Sequence, residues 1–126
     1  MKRHLLFLSF VICILTACSG GNDGSGKVVE QYLTAMVAGN SEQIAQIVCK
    51  EFEEQAAADV DAFIGVSAEI SNMNCTETGS DGEAVSVECS GSIAATYGNE
   101  QQTFDLAGPV YRVIEQGGGW LVCGRQ

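Results

Sequence analysis

Apolar residues recur first at helical spacing and then at strand spacing. Val28, Tyr32 and Met36 fall in one row at four-residue intervals. Val29, Leu33 and Val37 fill the adjacent row, and Glu30, Gln31 and Thr34 lie opposite. This stripe predicts an amphipathic helix over 27–38, with Gly39 as its C-terminal stop. Asn40 or Ser41 then caps a second helix, which has Glu42 in its first turn and Ile44, Ile47 and Val48 on one face, and which ends near Cys49. A weaker third helix is predicted over 51–63, with Phe52, Ala56, Val60 and Phe63 as its apolar row.

After residue 64 the period changes to two. A strand is predicted over 65–78 and another over 83–97. The second places Val85, Val87, Cys89, Ile93, Ala95 and Tyr97 on one face and Ser86, Glu88, Ser90, Ser92 and Thr96 on the other. Gly98-Asn99 turns the chain into a third strand over 101–115, interrupted at Gly108-Pro109. Proline cannot donate to a ladder, so a bulge or bend is expected there. Gln116 to Gly119 makes a last turn, with Gly117-Gly118-Gly119 as permissive hairpin residues, before a strand from Trp120 to Cys123. Helices followed by an antiparallel meander form an α+β layout, and the first helix is the natural cover for the apolar sheet face.

The segment before the first helix has a different character. Met1-Lys2-Arg3-His4 is basic, and Leu5 to Leu15 is almost unbroken apolar. That run is too short to span a bilayer, which takes roughly 20 residues, and it suits a signal peptide. Leu15-Thr16-Ala17-Cys18 resembles the lipobox of bacterial lipoproteins. The resemblance implies that residues 1–17 are removed and that Cys18 becomes an acylated N-terminus. It also implies a partner, the lipid bilayer, and a location: exported and lipid-anchored to the bacterial cell membrane or outer membrane. Residues 18–26 read as the lipidated Cys and a flexible Gly/Ser tether, and residues 27–126 as a single domain.

Charge and cysteine count narrow the function. The chain has 6 basic and 16 acidic residues; without Lys2 and Arg3, residues 18–126 carry a net charge of −12. Such a surface repels phosphate backbones, so nucleic acid is excluded as an expected partner. The one histidine, His4, lies in the signal segment, which removes imidazole catalysis and imidazole metal sites from the domain. Cys13 leaves with the signal and Cys18 is acylated, which leaves Cys49, Cys75, Cys89 and Cys123 for two disulfides in an exported chain. Cys75 and Cys89 are symmetric about a hairpin loop at Asp81-Gly82-Glu83, so they should face each other across the strands. Cys49 and Cys123 then pair by elimination. With no C-x-x-C pair, neither a metal site nor a cofactor is expected.

Two segments resemble the nuclear-transport-factor-two-like (cystatin-like) fold: the opening VVEQYLTAMVAGNSEQIAQIVC and the closing VYRVIEQGGGWLVC. The resemblance implies N-terminal helices packed on a curved antiparallel four-stranded sheet. It also supports the Cys49–Cys123 pairing, because small lipoproteins of this kind often end the second helix and the last strand with Cys. Enzymes of the fold work inside the cone between sheet and helix, using a buried Asp. Here Tyr32, Tyr97 and Tyr111 could line that cone, with Asp105 as the carboxylate; the plainer expectation is that the tyrosines are core or rim residues and Asp105 is solvated. Glu51, Glu53 and Glu54 fit a helix N-terminus better than a calcium site, and Trp120 fits a core better than a ligand platform. The expected function is a non-catalytic domain that binds a small apolar ligand or an envelope protein. An isomerase, lyase or hydrolase using a buried carboxylate is the alternative, and an inhibitory role that presents loops to a protease rests on fold analogy alone.

Overall fold

The computed structural model describes residues 24–126. The signal segment 1–17, Cys18 and the first part of the proposed tether lie outside the described residues. Helix α1 spans Gly24–Val37, α2 Ser41–Ile47 and α3 Glu53–Asp61, with a 3₁₀ turn at Lys50–Phe52. Five strands follow: β1 (Ser67–Asp81), β2 (Ala84–Tyr97), β3 (Glu100–Asp105), β4 (Val110–Gln116) and β5 (Gly119–Arg125). The protein is α+β, with its helices on a curved antiparallel sheet of order β1-β2-β4-β5, and β3 also pairs with β2.

The sheet has five strands where four were expected, because the third strand pattern is cut in two. Gly108 has φ +117°, Pro109 has no N–H to donate, and the Asp105 side chain accepts from the Ala107 N–H at 2.8 Å, turning the chain early. Both pieces still pair with β2: Asp105 faces Ser92, and Val110 faces Glu88. Residues 106–109 therefore oppose only 89–91, so one residue is extra, as in a bulge. On the other side of β2, Asn72 and Met73 together oppose Gly91, with Asn72 at φ +55°. Two bulges flank Gly91, which itself sits at φ +113°, and this is where the sheet bends.

The β1–β2 hairpin also differs in detail. Its loop has two residues, Gly82 and Glu83, closed by the pair Asp81–Ala84, rather than three. Gly82 at φ +62° supplies the positive φ required at the first central position of such a turn. The shorter loop shifts the register by one, and a bulge at Thr78 shifts it back. Cys75 consequently faces Cys89.

Helix α1 lays Val28, Val29, Tyr32, Leu33 and Met36 against Val87, Cys89, Ile93, Tyr111, Val113 and Val122 of the sheet. Each large aliphatic side chain so buried contributes about 1.5–3 kcal/mol. The helix begins three residues earlier than the sequence pattern suggests. Gly24, Ser25 and Gly26, read as tether, form its first turn. Ser25 is buried with its hydroxyl 3.5 Å from Glu77, and a Cβ on Gly24 would overlap the Trp120 indole. Small residues are needed here for close packing, which composition alone cannot distinguish from flexibility.

The second and third helices close the β5 side. The Asn40 side chain caps α2 by accepting from the Gln43 N–H at 3.1 Å. Val48 bridges to Val122, and the Cys49 N–H donates to the Val122 carbonyl at 2.9 Å. Phe52, Ala56 and Val60 are buried beneath. Among the described residues no helix packs on β3, so Tyr97 and Phe104 at that end stay 37% and 41% exposed. Strand alternation placed Tyr97 on the apolar face, but nothing covers that face at the tip of the β2–β3 hairpin.

Candidate functional site

One part-buried polar cluster joins all the layers. Tyr32 of α1 donates its hydroxyl proton to Asp59 Oδ2 of α3 at 2.6 Å. Arg125, the last residue of β5, grips the same carboxylate with both terminal nitrogens: Nη1 at 2.8 Å from Oδ2 and Nη2 at 3.0 Å from Oδ1. Gln55, one helical turn before Asp59, adds a donor to Oδ1 at 3.1 Å. Tyr111 of β4, which is paired with Arg125 in the β4–β5 ladder, stacks at a tilt on Tyr32 with ring centroids 6.1 Å apart. Phe52 packs on the other side of Tyr32 at 5.8 Å.

The electrostatics follow from this packing. Burial pushes the Tyr32 hydroxyl well above its ordinary range, and the hydrogen bond and negative charge of Asp59 push it further. Tyr111 is also raised, chiefly by burial, with Arg125 opposing. Burial pulls Arg125 down, but the adjacent Asp59 carboxylate outweighs it and the net direction is up. Both Asp59 oxygens are filled by donors. A general base needs a lone pair aimed at substrate, and this carboxylate has its acceptor sites committed to Tyr32, Arg125 and Gln55. The cluster is built to clamp α3 and α1 onto the end of β5.

The constellation of Tyr32, Tyr97, Tyr111 and Asp105 considered from the sequence is not assembled. Only Tyr32 and Tyr111 meet. Tyr97 lies at the uncovered hairpin end, and Asp105 is exposed, paired with Ser92 and turned to its own Ala107 N–H. Phe104, not Asp105, shares a pair with buried Ile93, so strand alternation directs Asp105 away from the core. Asp59, Gln55 and Arg125 were missed. Two sequence signals could have found them: Gln55 and Asp59 are four apart on a helix, and Arg125 follows Cys123 at strand period.

Cys49 is bridged to Cys123 with Cα atoms 4.7 Å apart, and Cys75 to Cys89 with Cα atoms 4.0 Å apart. Glu51 lies beside the first bridge, within 4.8 Å of its sulfurs, but bridged sulfurs are not thiolate ligands. Glu53 and Glu54 occupy the first turn of α3, where they favour the helix dipole. Glu30 accepts from the outward Cys75 N–H at 3.2 Å and so occupies one donor on the β1 edge. A cavity of about 250 Å³ lies between α2 and α3. It is lined by Ser41, Ile44, Ala45, Val48, Glu53, Ala57 and Val60.

These features define a disulfide-braced α+β domain whose helices pack on a bent antiparallel sheet, a layout consistent with the cystatin-like architecture. Solved structures with a similar fold include the following two. The intermembrane space region of the chloroplast protein ARC6 superposes with a TM-score of 0.59 at 12% identity, covering 79% of this chain and 90% of that one. A SEC-C motif containing protein from Rhodopseudomonas palustris superposes with a TM-score of 0.50 at 10% identity, covering 79% and 74%. At such identities the likeness concerns the fold alone. Neither a protein-family model nor a curated protein matches the sequence.

Proposed function

We propose that this is an exported, lipid-anchored protein of the bacterial cell envelope whose domain binds a small apolar ligand or an envelope protein without converting it. The anchor rests on the basic segment, the apolar run and Leu15-Thr16-Ala17-Cys18. The two disulfides suit an oxidising, exported environment. Acylation of Cys18 by two or more chains would hold the protein firmly, where one chain would not. The net negative charge would keep the domain off anionic headgroups.

The observation that carries the non-catalytic half is the saturation of Asp59 by Tyr32, Gln55 and Arg125. An isomerase, lyase or hydrolase using a buried carboxylate has less support, because Asp105 is exposed and Asp59 is occupied. Two experiments test the reading. Cys18→Ser should move the protein from the membrane fraction to the soluble fraction; continued pelleting would refute the lipid anchor. Native mass spectrometry of the chain after incubation with envelope extract should show an added mass or a protein partner. Turnover of an extract component that depends on Asp59 would refute the binding reading.

A further inference from the structure

The groove between α2 and α3 has a composition that selects its occupant. Five of the seven residues lining it are Ile44, Ala45, Val48, Ala57 and Val60. Ala45 and Ala57 are exposed, and their small side chains are what leave the space open between two otherwise apolar helix faces. The polar members are the Glu53 carboxylate and the Ser41 hydroxyl. Among the described residues Glu53 enters neither ion pair; Lys27 and Arg125 are engaged by Glu30 and Asp59, and Lys50, three residues before Glu53, makes no ion pair with it. The groove thus offers an apolar floor and one unpaired negative charge, on a protein with 16 acidic and 6 basic residues.

We infer that this groove binds a small primary amine with a compact apolar body: the body lies on Ile44, Val48 and Val60, and the ammonium pairs with Glu53. The inference rests on the reading of the domain as a binder and names the class of ligand. Each feature of the class has a physical cause. A volume of about 250 Å³ lies below the range of drug-sized pockets, which begin near 300 Å³, so the ligand is small. A carboxylate in the lining of an acidic protein favours a cation and repels a carboxylate or phosphate. No aromatic ring lines the groove, so it lacks the cage that recognises quaternary ammonium. An ammonium with N–H donors can instead bond both the Glu53 carboxylate and the Ser41 oxygen.

The test is an amide NMR titration of the full chain carrying Cys18→Ser, so that no acyl chain competes. The probes are n-hexylammonium, hexanol and hexanoate, which share one apolar body. n-Hexylammonium should shift amides of 41–48 and 53–60 with millimolar affinity, and hexanoate should bind about tenfold more weakly or not at all. Glu53→Gln should weaken the amine by about two- to fivefold, the range of an exposed ion pair, and leave hexanol unchanged. Ala57→Leu, a conservative change at an exposed helix position, should fill the groove and abolish binding of every probe. If hexanoate binds as well as the amine, the cation assignment fails and a binding groove remains. If Ala57→Leu leaves binding intact, the site is elsewhere. If all three probes leave these amides unmoved, the inference fails alone, because the extract experiment judges the binding reading separately.

Discussion

Tyr32 and Asp59, 27 positions apart in sequence, meet at 2.6 Å and tie the first helix to the third across the end of the sheet. Tyr32 is fully buried, and Asp59 is only 11% exposed in its side chain. A hydrogen bond to a charged acceptor is worth about 1.5–3 kcal/mol, so Tyr32→Phe should lose stability in that range. Asp59→Asn should cost at least as much, because it also strips Arg125 of its counter-charge in a partly buried site. Urea unfolding of both singles and the double should give a coupling of about 1–2 kcal/mol with unchanged slope. Strict additivity would mean that the two side chains do not act together.

The same cluster sets the alkaline limit of the fold. Tyr32 and Tyr111 have folded-state pKa values raised above the ordinary 10.0, and burial is the largest cause for each. Below pH 10 both states hold these protons and stability is intact. As the pH rises past 10, the unfolded chain releases them first, so the native state binds more protons and loses stability. The slope reaches about 1.4 kcal/mol per pH unit for each tyrosine. Phenolate absorbance should therefore show Tyr32 and Tyr111 ionising together with unfolding. Smooth ionisation of Tyr32 and Tyr111 in a chain that keeps its far-UV circular dichroism would contradict this placement.

Local periodicity made most of the fold legible. The i, i+4 rows of α1 and the alternation of β2 both predict which side chains are buried, since each concerns neighbours on one element. What escaped depends on neighbours distant in sequence. Gly24–Gly26 reads as linker until Trp120 is placed against it. Tyr97 reads as buried until the helices prove not to reach β3. The Asp59–Arg125 pair joins α3 to β5 across 66 positions; local spacing puts Gln55 and Asp59 on one helix face and Arg125 at strand period from Cys123, but it does not show that the two groups meet. Asp105 was weighed as a carboxylate because it lay on a strand. Its face was decided by the register to β2, which the Gly108-Pro109 break obscured.

Gly91 carries the bend of the sheet. A Cβ there would stand 2.7 Å from the Ser71 carbonyl oxygen and 2.8 Å from that of Asn72, and the backbone φ of +113° disfavours any side chain. Gly91→Ala should cost about 3 kcal/mol, combining strain with overlap against backbone that cannot move aside cheaply. Gly98→Ala is the control. It also sits at positive φ, +62°, but in a turn where nothing lies within 4 Å of the added carbon. Its smaller loss should be about 1 kcal/mol. Equal losses at the two sites would show that conformation alone, not the double bulge, makes Gly91 necessary.

The two disulfides should contribute unequally. Cys75–Cys89 closes a loop with a sequence separation of 14, within a hairpin whose strands already hold its ends together. Cys49–Cys123 spans 74 positions and pins the α2–α3 segment to β5, where the Val48–Val122 bridge, the Cys49 N–H bond to the Val122 carbonyl and the Asp59–Arg125 pair reinforce it. Restricting the unfolded chain is worth about 3 kcal/mol for the short loop and about 4.5 kcal/mol for the long one. Replacing each pair by alanines, so that no buried hydroxyl is added, should lower the Tm more for Cys49/Cys123 than for Cys75/Cys89. Hydrogen exchange should then separate the causes. Loss of the long bridge should raise exchange in α3 well before it does in β2, because α3 loses its covalent tie to the sheet while β2 keeps its ladders. Uniform acceleration across both elements would mean that the bridge acts only through the unfolded state.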